Sequence, residues 1–281
     1  MSLIKNYLTI GIVLFRNSRD EIFRCLDAIA HQENLPFSLE ILIRDQGGGS
    51  LQWVSDWEAS HPEAISILKL QGENLGFGEG HNSLFKQRHQ NSIAYLCLNP
   101  DAQLHPLALA NLCTFASKCE WRGLFEPMHE PIMPPKYYDP ASGETEWCSG
   151  ACLLIPVLIY EKLNGFDPAF FMYCEDVDFS WRARALGFKC YVCIGALVFH
   201  YVEDRSNRDL MAAKSQYVLA YKWGTTYDRD RAKERLIALR MQEQGDLESI
   251  SEYITMIDSD SIAKVKPNFN NGDIYAKDLW I

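Results

Sequence analysis

Apolar and β-branched residues run almost without interruption from Tyr7 to Phe15, the pattern of a strand buried on both faces. Ser18-Arg-Asp-Glu21 then forms a capping-box pattern, and Ile22, Leu26 and Ile29 recur at helical spacing. Together they predict a β-α unit. Further buried strands are predicted over 39–43, 65–70 and 93–98. These run into Asp45-Gln-Gly-Gly-Gly-Ser50, Asn74-Leu-Gly-Phe-Gly-Glu-Gly-His-Asn82 and Asn99-Pro-Asp101. Four strands alternating with helical segments specify an α/β fold with a mainly parallel, doubly wound sheet, whose ligands bind beyond the strand C-termini. Asp45, Asn74 and Asp101 all fall at those ends.

The middle of the chain reads differently. Pro127, Pro131, Pro134, Pro135 and Pro140 predict a long surface loop over 126–146. Beyond it, Trp147-Cys-Ser-Gly150 leads into a short apolar strand ending at Ile155, and Pro156 suits the first turn of a helix. The stretch from Gly165 to Asp178 is dense in aromatics and acids and precedes a helical Trp181-Arg-Ala-Arg184; Phe166, Phe170 and Phe171 are assigned to the core. A strand over 196–199 ends at His200. From about Asn207 a helical tail follows, with Ala232, Leu236 and Leu239 on one face.

Composition narrows the functional classes. No apolar run reaches the eighteen or so residues of a spanning helix, so a soluble protein is expected. The first apolar stretch ends in Arg16-Asn17 without a small-residue cleavage site, which favours a strand over a signal peptide. A net charge of −10 argues against a general nucleic-acid binder. Nine cysteines without a disulfide framework suit a reducing cytoplasm. Cys190 and Cys193 form one C-x-x-C, but positions i and i+3 of a strand face opposite ways, which favours inert structural thiols over a zinc site.

The ordered set of motifs resembles the family-two glycosyltransferases of GT-A fold, in their rhamnosyltransferase-like and galactofuranosyltransferase-like branch. The motifs are the opening strand with Arg16-Asn17, the Asp45 loop, N-x-G-F-G-x-G-x-N at 74–82, N-P-D-A at 99–102, S-G-A at 149–151, G-F-D at 165–167, E-D-x-D at 175–178, and His200. The resemblance runs from residue 7 to about 205. It implies a Rossmann-like nucleotide-binding half over about 1–118, merged with an acceptor half over about 119–206, and a helical extension over 207–281. The implied reaction is inverting transfer of a sugar from a UDP- or dTDP-linked donor to a hydroxyl of a glycan or lipid-linked acceptor, in bacterial surface polysaccharide synthesis. Relatives act at the cytoplasmic face of the membrane. Peripheral association is therefore an expectation, with Arg229, Arg231, Lys233, Arg235 and Arg240 as a candidate basic face, interrupted by Asp230 and Glu234. Neither the sugar nor the oligomeric state is legible.

The resemblance also assigns roles. Departure of a nucleoside diphosphate builds negative charge that a divalent cation, Mn²⁺ or Mg²⁺, offsets, with Asp101 and His200 as its ligands. Asn99 stands where the family carries the first acid of D-x-D. Asp176 is the candidate general base that takes the acceptor's proton, and Glu175 positions the acceptor. Arg16, Asp45, Asn74, Gly76, Gly78, Asn82, Asn99 and Asp101 line the donor; Asp45 accepts from the base, and the glycines admit close backbone approach. Plainer readings stay open: turn chemistry for Asp101, a structural His200, a helix-start Asp178 paired with Arg182, and a Trp147 that is either a sugar platform in the acceptor site or core.

Other classes remain alongside. The G-x-G-x-G spacing is not the dinucleotide fingerprint. A sugar nucleotidyltransferase would carry an early glycine-rich loop, whereas Gly11 stands alone. A non-catalytic nucleotide-sugar-binding module stays open, given Asn99 and the acidic Glu73 and Glu79 beside the phosphate loop.

Overall fold

The computed structural model describes residues 6–62, 65–200, 208–239 and 254–278. Its first half alternates strands and helices: β1 (Tyr7–Leu14), α1 (Arg19–Ala30), β2 (Ser38–Asp45), α2 (Leu51–Ser60), β3 (Ile67–Gln71), α3 (Gly76–Phe85) and β4 (Ser92–Leu98). Next come β5 (Ala102–Leu104), α4 (Ala108–Lys118), β6 (Gly123–Glu130), β7 (Glu144–Thr145), β8 (Cys152–Pro156), α5 (Val157–Lys162), α6 (Glu175–Ala185) and β9 (Lys189–His200). The C-terminal part contributes α7 (Arg208–Trp223), α8 (Thr226–Leu239) and α9 (Ser259–Val265). The capping box forms as read: Ser18 and Glu21 satisfy each other's backbone amides at the start of α1.

One mixed sheet carries the strands in the order β3-β2-β1-β4-β8-β6-β9-β5, with β7 paired to β9. The strands from β3 to β4 are parallel, as the alternation predicts. Beyond β4 the pairing is mixed: β8 runs antiparallel to β4, β6 runs parallel to β9, and β5 runs antiparallel to β9. Side chains divide by strand period between the two faces. Ala94, Leu96 and Leu98 of β4 join a core with α1, α2 and α4, while Tyr95 and Cys97 face α3, α5 and α6. A third cluster joins Trp147, Phe170, Val177 and Trp181 to Leu219, Trp223, Val265 and Tyr275 of the C-terminal part.

Three elements depart from expectation. The segment 126–146 is not all loop, because β6 extends through Pro127 and Glu130. Pro127 falls where β9 slips register, from Cys193 opposite Pro127 to Leu197 opposite Met128, a bulge that spares its missing N–H. The glycine run expected to be a loop is helix from Gly76, because neighbouring segments pack directly onto the glycines. Phe171, expected in the core with Phe166 and Phe170, is 47% exposed.

The thiols of Cys190 and Cys193 contact Ser180 of α6 and Asn111 of α4, on opposite faces of the sheet, which suits inert thiols. No helix among the described residues is long and apolar enough to cross a membrane. On α8, Arg235 pairs with Asp273 at 2.8 Å and Arg229 reaches the Gly224 carbonyl, so part of the expected basic face is spent within the protein. Arg240 and the expected boundary at 206–207 lie outside the described residues.

Candidate functional site

Parallel pairing aligns the C-termini of β1, β2 and β4, with Leu14 opposite Asp45. Arg16, the 45–50 loop and the 99–101 turn therefore share one sheet edge. Asp45 is fully buried, and its two oxygens accept the amides of Gly47 at 3.1 Å and Ser50 at 2.8 Å. It thus shapes its own loop. Arg16 is exposed, in a left-handed conformation beside Gly48. Gln46, which the motif reading passes over, pins the next loop: its amide nitrogen donates to Gly76 O at 2.8 Å and its oxygen accepts Leu75 N at 2.9 Å. Asn74 is exposed, and its side-chain oxygen accepts the Gly76 amide at 3.0 Å.

The glycines of α3 serve the protein rather than a ligand. Gly76 has φ +79°, and a Cβ there would lie 2.0 Å from the Phe171 carbonyl oxygen; at Gly78 it would lie 2.8 Å from the Phe166 Cβ. Gly76 and Gly78, expected to line the donor, are both buried against these segments. Asn82 is buried too. Its oxygen accepts Tyr160 Oη and Phe166 N, each at 2.9 Å, and its nitrogen donates to Glu79 and Phe166 O, which fills its hydrogen-bonding capacity.

Strand register also builds the candidate cation position. The Asn99-Pro-Asp101 turn feeds β5, whose Ala102 lies opposite His200 in antiparallel pairing. His200 Nε2 consequently lies 3.2 Å from Asp101 Oδ1 and 3.3 Å from Asn99 Nδ2. The Asp101 and His200 side chains retain 10% and 13% exposure, enough for a small ligand to reach them. Among the described residues no group of three or more His, Cys, Asp or Glu side chains could hold a metal. The two-residue pair still fits a hard cation that keeps other ligands. An oxygen and an imidazole nitrogen at 3.2 Å match the spacing of about 3 Å between neighbouring ligands on an octahedral ion with bonds near 2.1 Å.

The acidic motif opens α6 after two consecutive left-handed residues, Tyr173 (φ 70°) and Cys174 (φ 62°), a strained entry of the kind concentrated at functional sites. Asp176 Oδ2 accepts the Gly150 amide at 2.9 Å, and Oδ1 accepts its own Val177 amide at 2.8 Å. Burial raises the Asp176 pKa, and these bonds, followed by the Lys136 charge, oppose the rise. Glu175 is buried with Oε2 unpartnered among the described residues; burial and then the Asp176 charge push it well above the usual carboxylate range. The two carboxyls thus differ in their partners: Asp176 holds two backbone amides, whereas Glu175 Oε2 has none among the described residues. Asp178 is structural: fully buried, it binds Arg182 and Lys222 at 2.7 Å and Trp223 Nε1 at 2.8 Å, and its pKa is lowered, by Arg182 and then Lys222, despite burial. The expected Arg182 partnership is present, and Lys222 joins it.

The turn 149–151 links the two clusters. Gly150 N–H holds Asp176, while the neighbouring Ala151 carbonyl accepts Asn99 N–H at 2.9 Å. Trp147, one residue before Cys148, is core rather than a sugar platform: it is 8% exposed, donates Nε1 to Ile274 O at 2.7 Å, and carries the Lys136 ammonium 3.8 Å from its ring centroid. Lys136, Glu126 and His129 were hidden within the expected loop, and all three are buried beside these elements. His129 lies with its ring centroid 6.1 Å from that of His200, and burial lowers its pKa to about 3.

No protein-family model matches the chain. The rhamnosyltransferase WbbL of Escherichia coli K12 is 29% identical over 97 residues, covering 34% of this chain and 34% of that protein. The N-acetylglucosaminyl-diphospho-decaprenol L-rhamnosyltransferase of Mycobacterium tuberculosis is 34% identical over 71 residues, covering 25% of this chain and 23% of its own length. The chain thus spans about a third or less of the curated relatives it matches. In fold it is similar to a mannosyltransferase of Pyrobaculum calidifontis solved with GDP-Man and Mn²⁺, with a TM-score of 0.62 and 14% identity, covering 88% of this chain and 78% of that one. In fold the chain is thus similar to glycosyltransferases of GT-A fold, and over these short stretches its sequence is similar to rhamnosyltransferases.

Proposed function

We propose that the protein is an inverting glycosyltransferase that moves a sugar from a UDP- or dTDP-linked donor to a hydroxyl of a glycan or lipid-linked acceptor in bacterial surface polysaccharide synthesis. The observation that carries this reading is the 149–151 turn, which holds Asp176 on one side and, through Asn99, the Asp101–His200 pair on the other. Inversion by single displacement needs one carboxylate on the acceptor side and charge compensation on the leaving-group side. Two groups differing in chemistry across one rigid turn supply that division. Asp176, partly exposed where Glu175 is buried, accepts the acceptor's proton. Asp101 and His200 would hold the cation, Mn²⁺ or Mg²⁺, which when bound offsets charge developing on the diphosphate. The Mn²⁺ in the similar mannosyltransferase supports this.

Arg16 and Asn74 are exposed at the same edge and suit the donor's polar groups. Asp45 contributes by holding the 45–50 loop beside the donor, and Glu175 borders the acceptor. The diphospho-decaprenol in the mycobacterial relative's name supports a lipid-linked acceptor.

A thermal-shift panel of nucleotide sugars tests donor and cation together. At a hundred times its dissociation constant, the cognate donor adds about 2.7 kcal/mol with Mn²⁺ present. EDTA is expected to abolish the shift; equal shifts with and without EDTA would rule out the cation. Asp101→Ala and His200→Ala each weaken this Mn²⁺-dependent shift while leaving the ligand-free melting temperature near wild type, since both side chains lie at the sheet edge. Normal Mn²⁺ dependence in His200→Ala would remove that residue from the ligand set.

A further inference from the structure

A fully enclosed ion pair adds little net stability, because desolvation consumes most of the attraction, so its hydrogen bonds are the better guide to its use. Glu126 and Lys136 are both 0% exposed and lie 2.5 Å apart. Each also grips the segment leading to the linking turn. Glu126 Oε2 accepts the Ser149 amide at 2.6 Å; Lys136 Nζ donates to the Trp147 carbonyl at 2.6 Å and sits over the Trp147 ring. The next amide after Ser149 is that of Gly150, which holds Asp176. We propose that Glu126 and Lys136 form a positioning pair for sugar transfer, clamping the 147–150 backbone so that Gly150 N–H fixes the Asp176 carboxylate against the acceptor.

This role rests on Asp176 being the base. The pair acts in two ways: through the backbone clamp, and through the field of Lys136, which opposes the burial that raises Asp176. The other groups around Asp176 are Glu175, pushed up by burial, and the Cys97 and Cys174 thiols, which burial likewise raises; Asp176 in turn helps raise Glu126. Lys136 is therefore the cation whose removal Asp176 registers.

The test compares wild type, Lys136→Met and the double variant Glu126→Gln/Lys136→Met, which leaves no unpaired buried charge if the single variant folds poorly. Aspartate carboxyl ¹³C NMR, assigned with Asp176→Asn, follows Asp176 without any ligand. Transfer is followed by nucleotide release from whichever UDP- or dTDP-sugar stabilises the protein. In Lys136→Met the Asp176 titration moves upward, and kcat falls about a hundredfold with donor KM unchanged, the scale of a 1 Å misplacement. The double variant regains melting temperature while kcat stays low. An unmoved Asp176 titration in Lys136→Met, or a kcat in the double variant that recovers along with melting temperature, overturns the proposal. If Asp176→Asn itself transfers normally, the base assignment fails instead, and the two failures are distinguishable.

Discussion

Asp176→Asn is expected to slow transfer by roughly a hundred- to ten-thousandfold while donor and cation affinity stay near wild type. The amide keeps the size of the carboxylate, but it cannot take the acceptor's proton at neutral pH. Its oxygen can still accept the Gly150 amide, so the turn survives. The pH profile sharpens the expectation. Burial raises the Asp176 pKa, so the wild-type rate is lost, as pH falls, at values above the ordinary aspartate range. Glu175→Gln is the control: that carboxyl is buried and its pKa is raised by burial, so its amide substitute should change the rate only a few fold. Initial rates at saturating donor across a pH series check both. If Asp176→Asn transfers normally and Glu175→Gln abolishes the reaction, the base lies one residue earlier.

Lys222→Met is expected to cost about 3–5 kcal/mol of stability, the penalty for leaving a buried ionic partner uncompensated. Lys222 is 2% exposed and bridges Asp167 and Asp178, tying α7 to the entry of α6. A drop in melting temperature of roughly 6–20 °C corresponds to that loss, and calorimetry would measure it. The pH dependence follows from Asp178, whose folded pKa lies below its unfolded value, by the fields of Arg182 and Lys222. Its stabilisation is therefore complete above the unfolded aspartate value near 3.9 and disappears as pH falls through the folded value. In Lys222→Met this acid-side loss shrinks, because the depression of Asp178 is smaller. A variant that melts within about 1 °C of wild type would show that Lys222 is dispensable.

Strands and helices with strong periodicity were legible from sequence: β1, the capped α1, and the parallel run from β3 to β4 follow from local pattern alone. What failed was decided by tertiary contact. Three glycines in five residues, 76 to 80, speak for loop, yet the carbonyl of Phe171 and the side chain of Phe166 occupy the space that side chains would have taken. Pro127 speaks against strand, and the register slip in its pairing with β9 accommodates it. The Asp178–Arg182 contact was recoverable from its i,i+4 spacing, and the resemblance named Asp101 and His200, which the structure brings within 3.2 Å of each other. Glu126, Lys136, His129 and Gln46 were not recoverable. Their significance is a matter of burial and of which backbone amide or carbonyl they reach, and neither leaves a signal in local composition. Trp147 and Asn82 show the converse: a suggestive residue in a suggestive motif whose polar groups are spent on the protein itself.

The contact between the Trp147 indole and the Ile274 carbonyl spans 127 residues of chain. During synthesis the parallel half has all its strands and covering helices early and can consolidate as it leaves the ribosome, since domains form from the N-terminus onward. The acid-bearing helix follows a different schedule. Asp178 waits for Lys222 and Trp223, and Trp147 waits until Ile274 has been made. A nascent chain stopped at residue 206 would therefore hold a formed parallel half beside an Asp178 that has Arg182 but neither Lys222 nor Trp223, and a Trp147 without its Ile274 partner.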